Sequence, residues 1–280
     1  MRGGLVKRIV MDEQAVMTAD KRLSRWQAAA IHLSISCAIA LLVLVFIRFV
    51  FYPDFYFRLS GGLKLFFLIV GVDVVVGPLL TLAVYKHGKK GLKFDLSVIA
   101  ALQVMALAYG LHTMWIARPV YTVFAIDHFA VISASEIVQE SLEKAKPEYQ
   151  KLPLWGPRFV AVEMPSSPEE KQKLLFSALS SGADVQSFPE YYVPYQEKQE
   201  DILEKARLLQ ELEKAIPESR DEIKMFLKRK GGVGSDYRYL PIRGMDFILM
   251  TMVVDQEGVP VGVIPVDPEP EVPSVSSAEE

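Results

Sequence analysis

The stretch that decides the fold is residues 63–85, LKLFFLIVGVDVVVGPLLTLAVY, which is almost wholly apolar. At a rise of ~1.5 Å per residue, a helix of this length crosses a ~30 Å hydrocarbon core. Two similar stretches flank it, Trp26 to Phe51 and Phe94 to Ala117. The remainder of the chain, from residue 118 onward, is polar. The sequence therefore predicts a membrane protein with three transmembrane helices and one large domain outside the membrane.

The basic residues in the short segments around these stretches indicate the orientation. The loop between the first two stretches contains only Arg58 and, at its edge, Lys64. The other two segments are much more basic: they contain Arg2, Lys7, Arg8, Lys21, Arg22 and Arg25, and Lys86, Lys89, Lys90 and Lys93. Because short cytoplasmic loops carry the excess of Lys and Arg, we expect a cytoplasmic N-terminus and an exported C-terminal domain.

We expect four segments. They are a cytoplasmic segment 1–25, a three-helix transmembrane region 26–117, a periplasmic α+β domain 118–266 and a disordered tail 267–280 rich in Pro, Glu and Ser. The first 117 residues carry a net charge of +7 and the remainder −10, which together give the −3 of the chain. An acidic exported domain argues against nucleic acid as a partner and against a strong grip on anionic lipid headgroups. The single cysteine, Cys37, lies in the first apolar stretch, so the exported domain relies on its core rather than on disulfides.

The exported domain shows alternating strand and helix patterns, which predict an α+β fold. Strands are expected at Val120–Ile132 and Arg158–Met164, a closing hairpin at Met245–Val254 and Val259–Val266, and helices at Ser135–Lys146, Ser167–Ser180, Glu197–Ile216 and Glu218–Lys230. The helix predicted at Glu197–Ile216 carries an apolar stripe. Such a stripe can accept a partner's helix, but we expect it to cover its own domain.

Polar and small residues recur at helical spacing within the apolar stretches, which predicts a compact bundle with these residues inside. The first stretch contributes Ala29, His32, Ser36 and Ala40; the second Asp73, Gly77 and Thr81; the third Ala100, Gln103, Leu107, Gly110 and Thr113. Ser36 and Gln103 lie at the depth of Asp73 and are its expected partners. Pro78 cannot donate to the carbonyl of Val74, which predicts a kink beside the buried acid.

Two interpretations of Asp73 stay open. A carboxylate inside a membrane can be a proton or ion site, or it can be a hydrogen-bonded acid that fixes the register of the helices. The aromatic residues of the outer loop also allow two interpretations, an interfacial belt or a surface that receives another membrane helix, and we expect the belt. These residues are Tyr52, Phe55, Tyr56 and Phe57.

The sequence contains no recognisable catalytic or metal-binding motif such as G-x-S-x-G, H-E-x-x-H, G-x-x-x-x-G-K or C-x-x-C. His128 is the single histidine after residue 117, and its neighbour Asp127 is expected on the opposite face of the same strand. We therefore predict no catalytic residue, cofactor or metal site. The alternative is a membrane-anchored periplasmic enzyme with scattered acids, or a sensor or transport subunit that uses Asp73.

Several motifs resemble those of the type IV pilin accessory proteins of the TfpX/TfpZ group. The most specific are V-D-V-V-V-G-P-L-L-T at 72–81 and R-P-V-Y at 118–121, and they are accompanied by Arg25-Trp26, His32, Tyr52-Pro53, Gly61-Gly62, Asp95-Leu96, Gln103, Tyr109-Gly110, Asp127 and Phe129. The resemblance is strong over residues 25–140 and weak afterwards.

The resemblance implies a multi-pass inner-membrane protein with a periplasmic domain. Such a protein assists the stability of a type IV major pilin and the assembly or dynamics of the pilus, and it is not an enzyme. The expected partners are a major pilin, inner-membrane lipid and other pilus assembly proteins. The candidate residues are His32, Asp73, Gly77, Pro78, Gln103 and Gly110 in the membrane, and Arg118, Pro119, Tyr121 and Asp127 beside it.

Overall fold

The computed structural model describes residues 23–245 and 248–269. The described residues form two compact units: one contains residues 23–42 together with Ile69–Ala108, and the other contains Val43–Leu68 with residues 109–245 and 248–269. Most of the predicted cytoplasmic segment 1–25 and of the predicted tail 267–280 lies outside the described residues. The four predicted segment boundaries therefore stay predictions.

Within residues 23–245 and 248–269, three helical stretches are long and apolar enough to cross a membrane, at the positions that hydropathy predicts. They are Arg25–Phe51, Gly62–Val84 and Leu92–Ile116. Many of their large apolar side chains are exposed, including Leu42, Phe67 and Val104. Such exposure is unfavourable in water and ordinary for helices surrounded by lipid.

The first two stretches are not uniform α-helices. Helix α1 (Arg25–Phe46) continues as a π-helical segment Ile47–Phe51; α2 (Tyr56–Leu59) and α3 (Gly62–Gly71) follow, then a second π-helical segment Val72–Val76, α4 (Gly77–Val84) and α5 (Leu92–Ile116). The second π segment ends just before Pro78, where the sequence predicts a kink. Because Pro78 has no backbone N–H for the carbonyl of Val74, regular α-helical bonding cannot run through this point.

The second unit is built on one mixed sheet of eight strands, in the order β4-β3-β1-β2-β6-β7-β8, with β5 paired to β6. The strands are β1 (Pro119–Ala125), β2 (His128–Ser133), β3 (Arg158–Val162), β4 (Tyr192–Pro194), β5 (Arg207–Leu208), β6 (Arg238–Arg243), β7 (Leu249–Val254) and β8 (Pro260–Ile264). The β1/β3 and β2/β6 pairs are parallel and the others antiparallel. The sheet confirms a domain of mixed helices and strands and is larger than the sequence predicts.

Five helices longer than one turn accompany the described part of this sheet. They are α6 (Gln139–Lys144), α7 (Pro168–Ser181), α8 (Gln199–Lys205), α9 (Leu209–Ala215) and α10 (Arg220–Lys230). Helix α7 begins where its N-cap predicts, since the Ser167 hydroxyl accepts from the backbone N–H of Glu170. It ends at Gly182, whose φ of 73° suits a glycine C-cap.

The predicted long helix at Glu197–Ile216 is wrong. The chain leaves the helix at Ala206 and pairs Arg207 and Leu208 with β6 before it becomes helical again in α9. The apolar stripe is thereby shared between two core clusters: Ile202 and Ala206 pack in one, and Leu209 and Leu212 in the other. The stripe covers its own domain, as the sequence analysis expects, but through two short helices instead of one.

Strand β6 has no counterpart in the sequence prediction, although it is central. Its sequence contains Pro241, which normally argues against a central strand. Strand β6 pairs with β5 at Arg238–Tyr239 and with β2 at Ile242–Arg243. Pro241 lies between these two pairings on one side of β6, and on the other side it is in register with Thr251 of β7. The proline is therefore placed where neither β5 nor β2 pairs with it.

The aromatic loop after α1 packs against the sheet of its own unit. Tyr52 is fully buried and its hydroxyl donates to the Met114 carbonyl over 3.3 Å. The hydroxyl of Tyr56 lies 2.7 Å from Oγ1 of Thr122 in β1. Burial raises the pKa of both tyrosines well above the usual range. The expectation of an interfacial belt is therefore wrong for these two rings, because they are part of the protein core.

The turn between β1 and β2 contains a backbone strain that can be tested. Ile126 has a φ of 63°, a region that costs an L-residue with a Cβ roughly 1–2 kcal/mol, and its side chain is 58% exposed. We expect Ile126→Gly to raise the free energy of unfolding by up to about 1 kcal/mol, measured by thermal unfolding in detergent. Ile126→Ala keeps the Cβ and should give no gain, and equal gains for both variants would refute the strain.

Candidate functional site

Four polar side chains meet within the first unit, and we call them the polar cluster: His32, Asp73, Thr81 and Gln103. The His32 Nδ1 lies 2.5 Å from Oγ1 of Thr81, and its Nε2 lies 2.8 Å from Oε1 of Gln103. The amide nitrogen of Gln103 donates to the backbone carbonyl of Asp73 over 3.0 Å. In the tautomer with the proton on Nε2, the His32 ring donates to Gln103 and its Nδ1 accepts from the Thr81 hydroxyl.

Gly77 allows this cluster to close. A Cβ added at Gly77 would overlap the side-chain amide of Gln103. The amide can therefore lie against the backbone of α4 only because position 77 has no side chain. Small residues at helix contacts serve this purpose in membrane bundles.

A cleft of about 190 Å³ lies beside the polar cluster, and we call it the helix cleft. It is lined by His32, Ile35, Ser36, Ile39, Ala40, Val70, Asp73, Ala100, Gln103, Val104 and Leu107. The Oδ1 atom of Asp73 is buried and has no hydrogen-bond partner among the described residues. The walls of the cleft are mainly apolar, and its polar lining residues are His32, Ser36, Asp73 and Gln103.

The structure places the predicted membrane residues in different surroundings. The structure brings four of them together: His32, Asp73, Gly77 and Gln103. Pro78 is buried in the first turn of α4, next to Gly77. Ser36 is buried and lines the helix cleft, but the described contacts of Asp73 run to Gln103 instead. Gly110 is buried and belongs to the second unit.

The hydrogen bond between His32 and Gln103 can be tested by a double-mutant cycle. We expect His32→Ala and Gln103→Ala each to lower the thermal stability of the detergent-solubilised protein. Because the two side chains share one bond, the double variant should lose less than the two single losses added together, by roughly 0.5–1.5 kcal/mol. Strict additivity would show that the two residues act independently.

Arg118 organises a second cluster, within the second unit. It is only 6% exposed, and its Nη1 donates to the Trp115 carbonyl over 2.7 Å. Its guanidinium carbon lies 3.7 Å from the centre of the Trp115 ring, a cation–π contact, and its Nη2 is 3.4 Å from the Pro153 carbonyl. Burial lowers the pKa of Arg118. The side chain thereby connects the last turn of α5 to a loop of the sheet domain.

Pro119 and Tyr121, which follow Arg118, are structural parts of β1. Both are buried, and the Tyr121 ring packs edge-on against Tyr192 at 5.1 Å between ring centres. Burial raises the pKa of Tyr121, and its hydroxyl has no hydrogen-bond partner among the described residues. Within this unit the R-P-V-Y sequence therefore marks the point where the apolar helix becomes the sheet.

The expectation that the side chains of Asp127 and His128 lie on opposite faces of one strand is wrong. Asp127 lies in the turn before β2 and not in the strand, so the alternation of side chains between two faces does not apply to it. Its Oδ1 is 2.9 Å from Nδ1 of His128. The two side chains do form an orienting pair, but Asp127 is 70% exposed and the structure puts no nucleophile beside them among the described contacts.

Two contributors were missing from the sequence-based site residues. Thr81 is the second hydrogen-bond partner of the His32 ring. The sequence feature that pointed to Thr81 was its spacing of eight residues from Asp73 on one helix face. The Trp115 ring lies against the Arg118 guanidinium. The only feature of the sequence that pointed to this contact was the separation of three residues. Among the described residues, no three His, Cys, Asp or Glu side chains converge as a metal site would require.

The fold and the two clusters define a class of protein: three long apolar helices joined to one mixed α/β domain, with a polar cluster at the helix contacts. Comparison with known proteins gives the family. A family model described as "Fimbrial assembly protein FimB" matches residues 21–61. No solved structure matches the chain.

Relatives from Dichelobacter nodosus cover far more of the chain. The fimbrial assembly protein of serogroup I is 32% identical over 241 residues, 84% of this chain and 93% of the relative. That of serogroup E1 is 31% identical over the same length, and that of serogroups C1 and C2 is 37% identical over 132 residues, 46% of this chain and all of the relative. The chain therefore belongs to the fimbrial assembly protein family, which confirms the resemblance to type IV pilus accessory proteins.

Proposed function

We propose that this protein is a non-enzymatic accessory factor of the inner membrane that holds a type IV major pilin and supports its stability and its assembly into the pilus. Membership of the fimbrial assembly protein family supports a role in pilus biogenesis. Three helices with the length and composition of membrane spans support the membrane location. The basic residues of the short segments support a cytoplasmic N-terminus and a periplasmic sheet domain.

The observation that carries the proposal is the helix cleft. A pilin waiting in the membrane presents an apolar helix, and the cleft offers apolar side chains of three helices, including Ile39, Val70 and Val104. In the proposed complex the Oδ1 of Asp73, which is buried and has no hydrogen-bond partner among the described residues, accepts a hydrogen bond from a donor on that helix. In lipid a polar contact of this kind fixes depth and register, whereas apolar contacts alone do not.

The experiment is capture of the tagged full-length protein from gently solubilised membranes, with identification of the proteins that accompany it. We expect the major pilin to be recovered, and deletion of the gene to reduce the number of pili. Asp73→Ala should weaken recovery of the pilin at an unchanged level of the protein. Asp95→Ala is the matched control, because Asp95 is an acid of the same unit that pairs with Lys89 at 2.7 Å and does not line the helix cleft.

Absence of the pilin after chemical crosslinking as well would refute the proposal. Recovery that is equal for the wild type, Asp73→Ala and Asp95→Ala would leave the accessory role intact. It would show that the buried acid fixes the helices and does not contact the pilin.

A further inference from the structure

A large groove lies within the second unit, between the loop after α1 and the end of α10. Its volume is about 690 Å³, and we call it the basic groove. It is lined by Arg48, Asp54, Phe55, Arg58, Glu222, Met225, Phe226, Lys228, Arg229, Lys230, Met250, Val261, Gly262, Val263 and Pro265. Two segments far apart in the chain, residues 48–58 and 222–230, supply all of its charges.

The charges of the basic groove oppose those of the domain around it. Residues 118–280 carry a net charge of −10, yet the groove has five basic side chains and two acidic ones. None of the five basic side chains forms an ion pair within the part of the chain that the structure describes. Arg48 makes one long hydrogen bond, 3.4 Å to the Tyr52 carbonyl. The excess positive charge is thus available to an anion.

The position of three basic residues at the end of α10 has a local explanation, but that explanation does not account for the two arginines that lie opposite them. Lys228, Arg229 and Lys230 occupy the last turn of the helix, where cations complement the helix dipole. Arg48 and Arg58 likewise lie in the last turns of their own helical segments, Ile47–Phe51 and α2, so each position suits a local dipole, but none of these dipoles brings the two segments together. Their position opposite the α10 lysines therefore requires another explanation.

The walls of the groove are partly apolar. Met225 is 51% exposed, and Phe226 packs beneath Gly262, where an added Cβ would lie 3.1 Å from the ring. Phe55, Met250 and Val261 complete this surface. A ligand that suits the groove therefore has a negatively charged end and an apolar part.

The position of the groove in the chain indicates where such a ligand would come from. Arg48 lies in the last turn of the first apolar stretch, and Asp54, Phe55 and Arg58 follow within ten residues. If that stretch crosses the membrane, as proposed above, this turn lies at the level of the lipid phosphates. Arginine side chains at such positions extend toward the interface.

We propose that the basic groove binds the headgroup of an anionic phospholipid, with the phosphate between the Arg48 and Arg58 side and the α10 lysines, and the upper acyl chain against Met225 and Phe55. The proposal rests on the membrane location proposed above. It differs from the expectation that the acidic composition of the domain argues against a strong grip on anionic lipid headgroups. The domain has a net negative charge, but its surface is locally positive where the fold brings residues 48–58 and 222–230 together.

The test is native mass spectrometry of the full-length protein in mild detergent, titrated with phosphatidylglycerol or with phosphatidylcholine. We expect a clear preference of the wild type for phosphatidylglycerol. The variant K228Q/R229Q/K230Q should bind phosphatidylglycerol at least about tenfold more weakly, since each cation near an anionic headgroup contributes roughly fivefold in affinity. Its binding of phosphatidylcholine should not change.

The matched control is K171Q/K173Q/K214Q, which removes the same charge from exposed positions outside the groove. The preference for phosphatidylglycerol should survive in this control, and excess inorganic phosphate should not displace the lipid. Equal weakening in the two triple variants, equal binding of both lipids by the wild type, or full displacement by phosphate would overturn the proposal. Pilin recovery is measured on the same proteins, so a wild type that recovers the pilin but shows no preference for phosphatidylglycerol refutes this inference alone.

Discussion

Gly77→Ala is expected to destabilise the helical unit by about 1–3 kcal/mol, although the same change inside a helix is ordinarily favourable. An added Cβ at position 77 would overlap the amide of Gln103. The amide would have to leave its bonds to His32 and to the Asp73 carbonyl, so overpacking and a lost hydrogen bond act together. Thermal unfolding of the detergent-solubilised protein measures the effect.

Gly71→Ala is the control, because its expected effect on the free energy of unfolding is opposite in sign to that of Gly77→Ala. Gly71 ends α3 in the same helical stretch, and nothing lies within 4 Å of a Cβ added there. This substitution should be neutral or stabilising by up to roughly 1 kcal/mol, because alanine favours the helix. If both variants unfold at the same temperature, the close contact between Gly77 and Gln103 does not determine stability.

Arg118→Ala is expected to cost about 3 kcal/mol of unfolding free energy. The guanidinium is buried, donates to a carbonyl at the end of α5 and stacks on Trp115 at 3.7 Å. A hydrogen bond from a charged group contributes roughly 1.5–3 kcal/mol, and a desolvated cation–π contact up to about 2. Loss of the side chain also leaves the Trp115 carbonyl without this donor.

Arg158 is the matched comparison for Arg118. It makes the same kinds of contact, a hydrogen bond of 3.1 Å to the Glu148 carbonyl and a stacking distance of 5.7 Å to Tyr149, but its side chain is exposed. Arg158→Ala should therefore cost less than about 1 kcal/mol. Equal losses for the two arginines, measured by the same unfolding transition, would refute the special role of Arg118.

The parts of the fold that the sequence predicts well are those set by local patterns. Continuous apolar runs gave the three long helices within two residues of their observed ends. The spacing of His32, Asp73, Gly77 and Gln103 on helix faces anticipated that these residues meet, since facing stripes of small and polar residues have few other ways to be satisfied. The helix predicted at Ser167–Ser180 agrees with α7 (Pro168–Ser181) within one residue at each end for the same local reason.

The predictions from sequence are wrong where contacts between distant segments decide the local structure. Arg207 and Leu208 leave their helical pattern because β6 offers them strand partners, and β6 itself was missed because Pro241 looks unfavourable without its neighbours. Tyr52 and Tyr56 are buried by residues more than 60 positions away. The basic groove was unpredictable for the same reason, since its two charged segments are separated by some 160 residues that include two of the apolar stretches.

The measurement that tests the accessory role most directly is site-specific photo-crosslinking in living cells. A photoreactive amino acid replaces Ile39, which lines the helix cleft, or Leu42, which lies one turn further along α1 outside the cleft and is 70% exposed. The account predicts a crosslink to the major pilin from position 39 and much less from position 42. No pilin crosslink from position 39, or equal crosslinks from both positions, would contradict it.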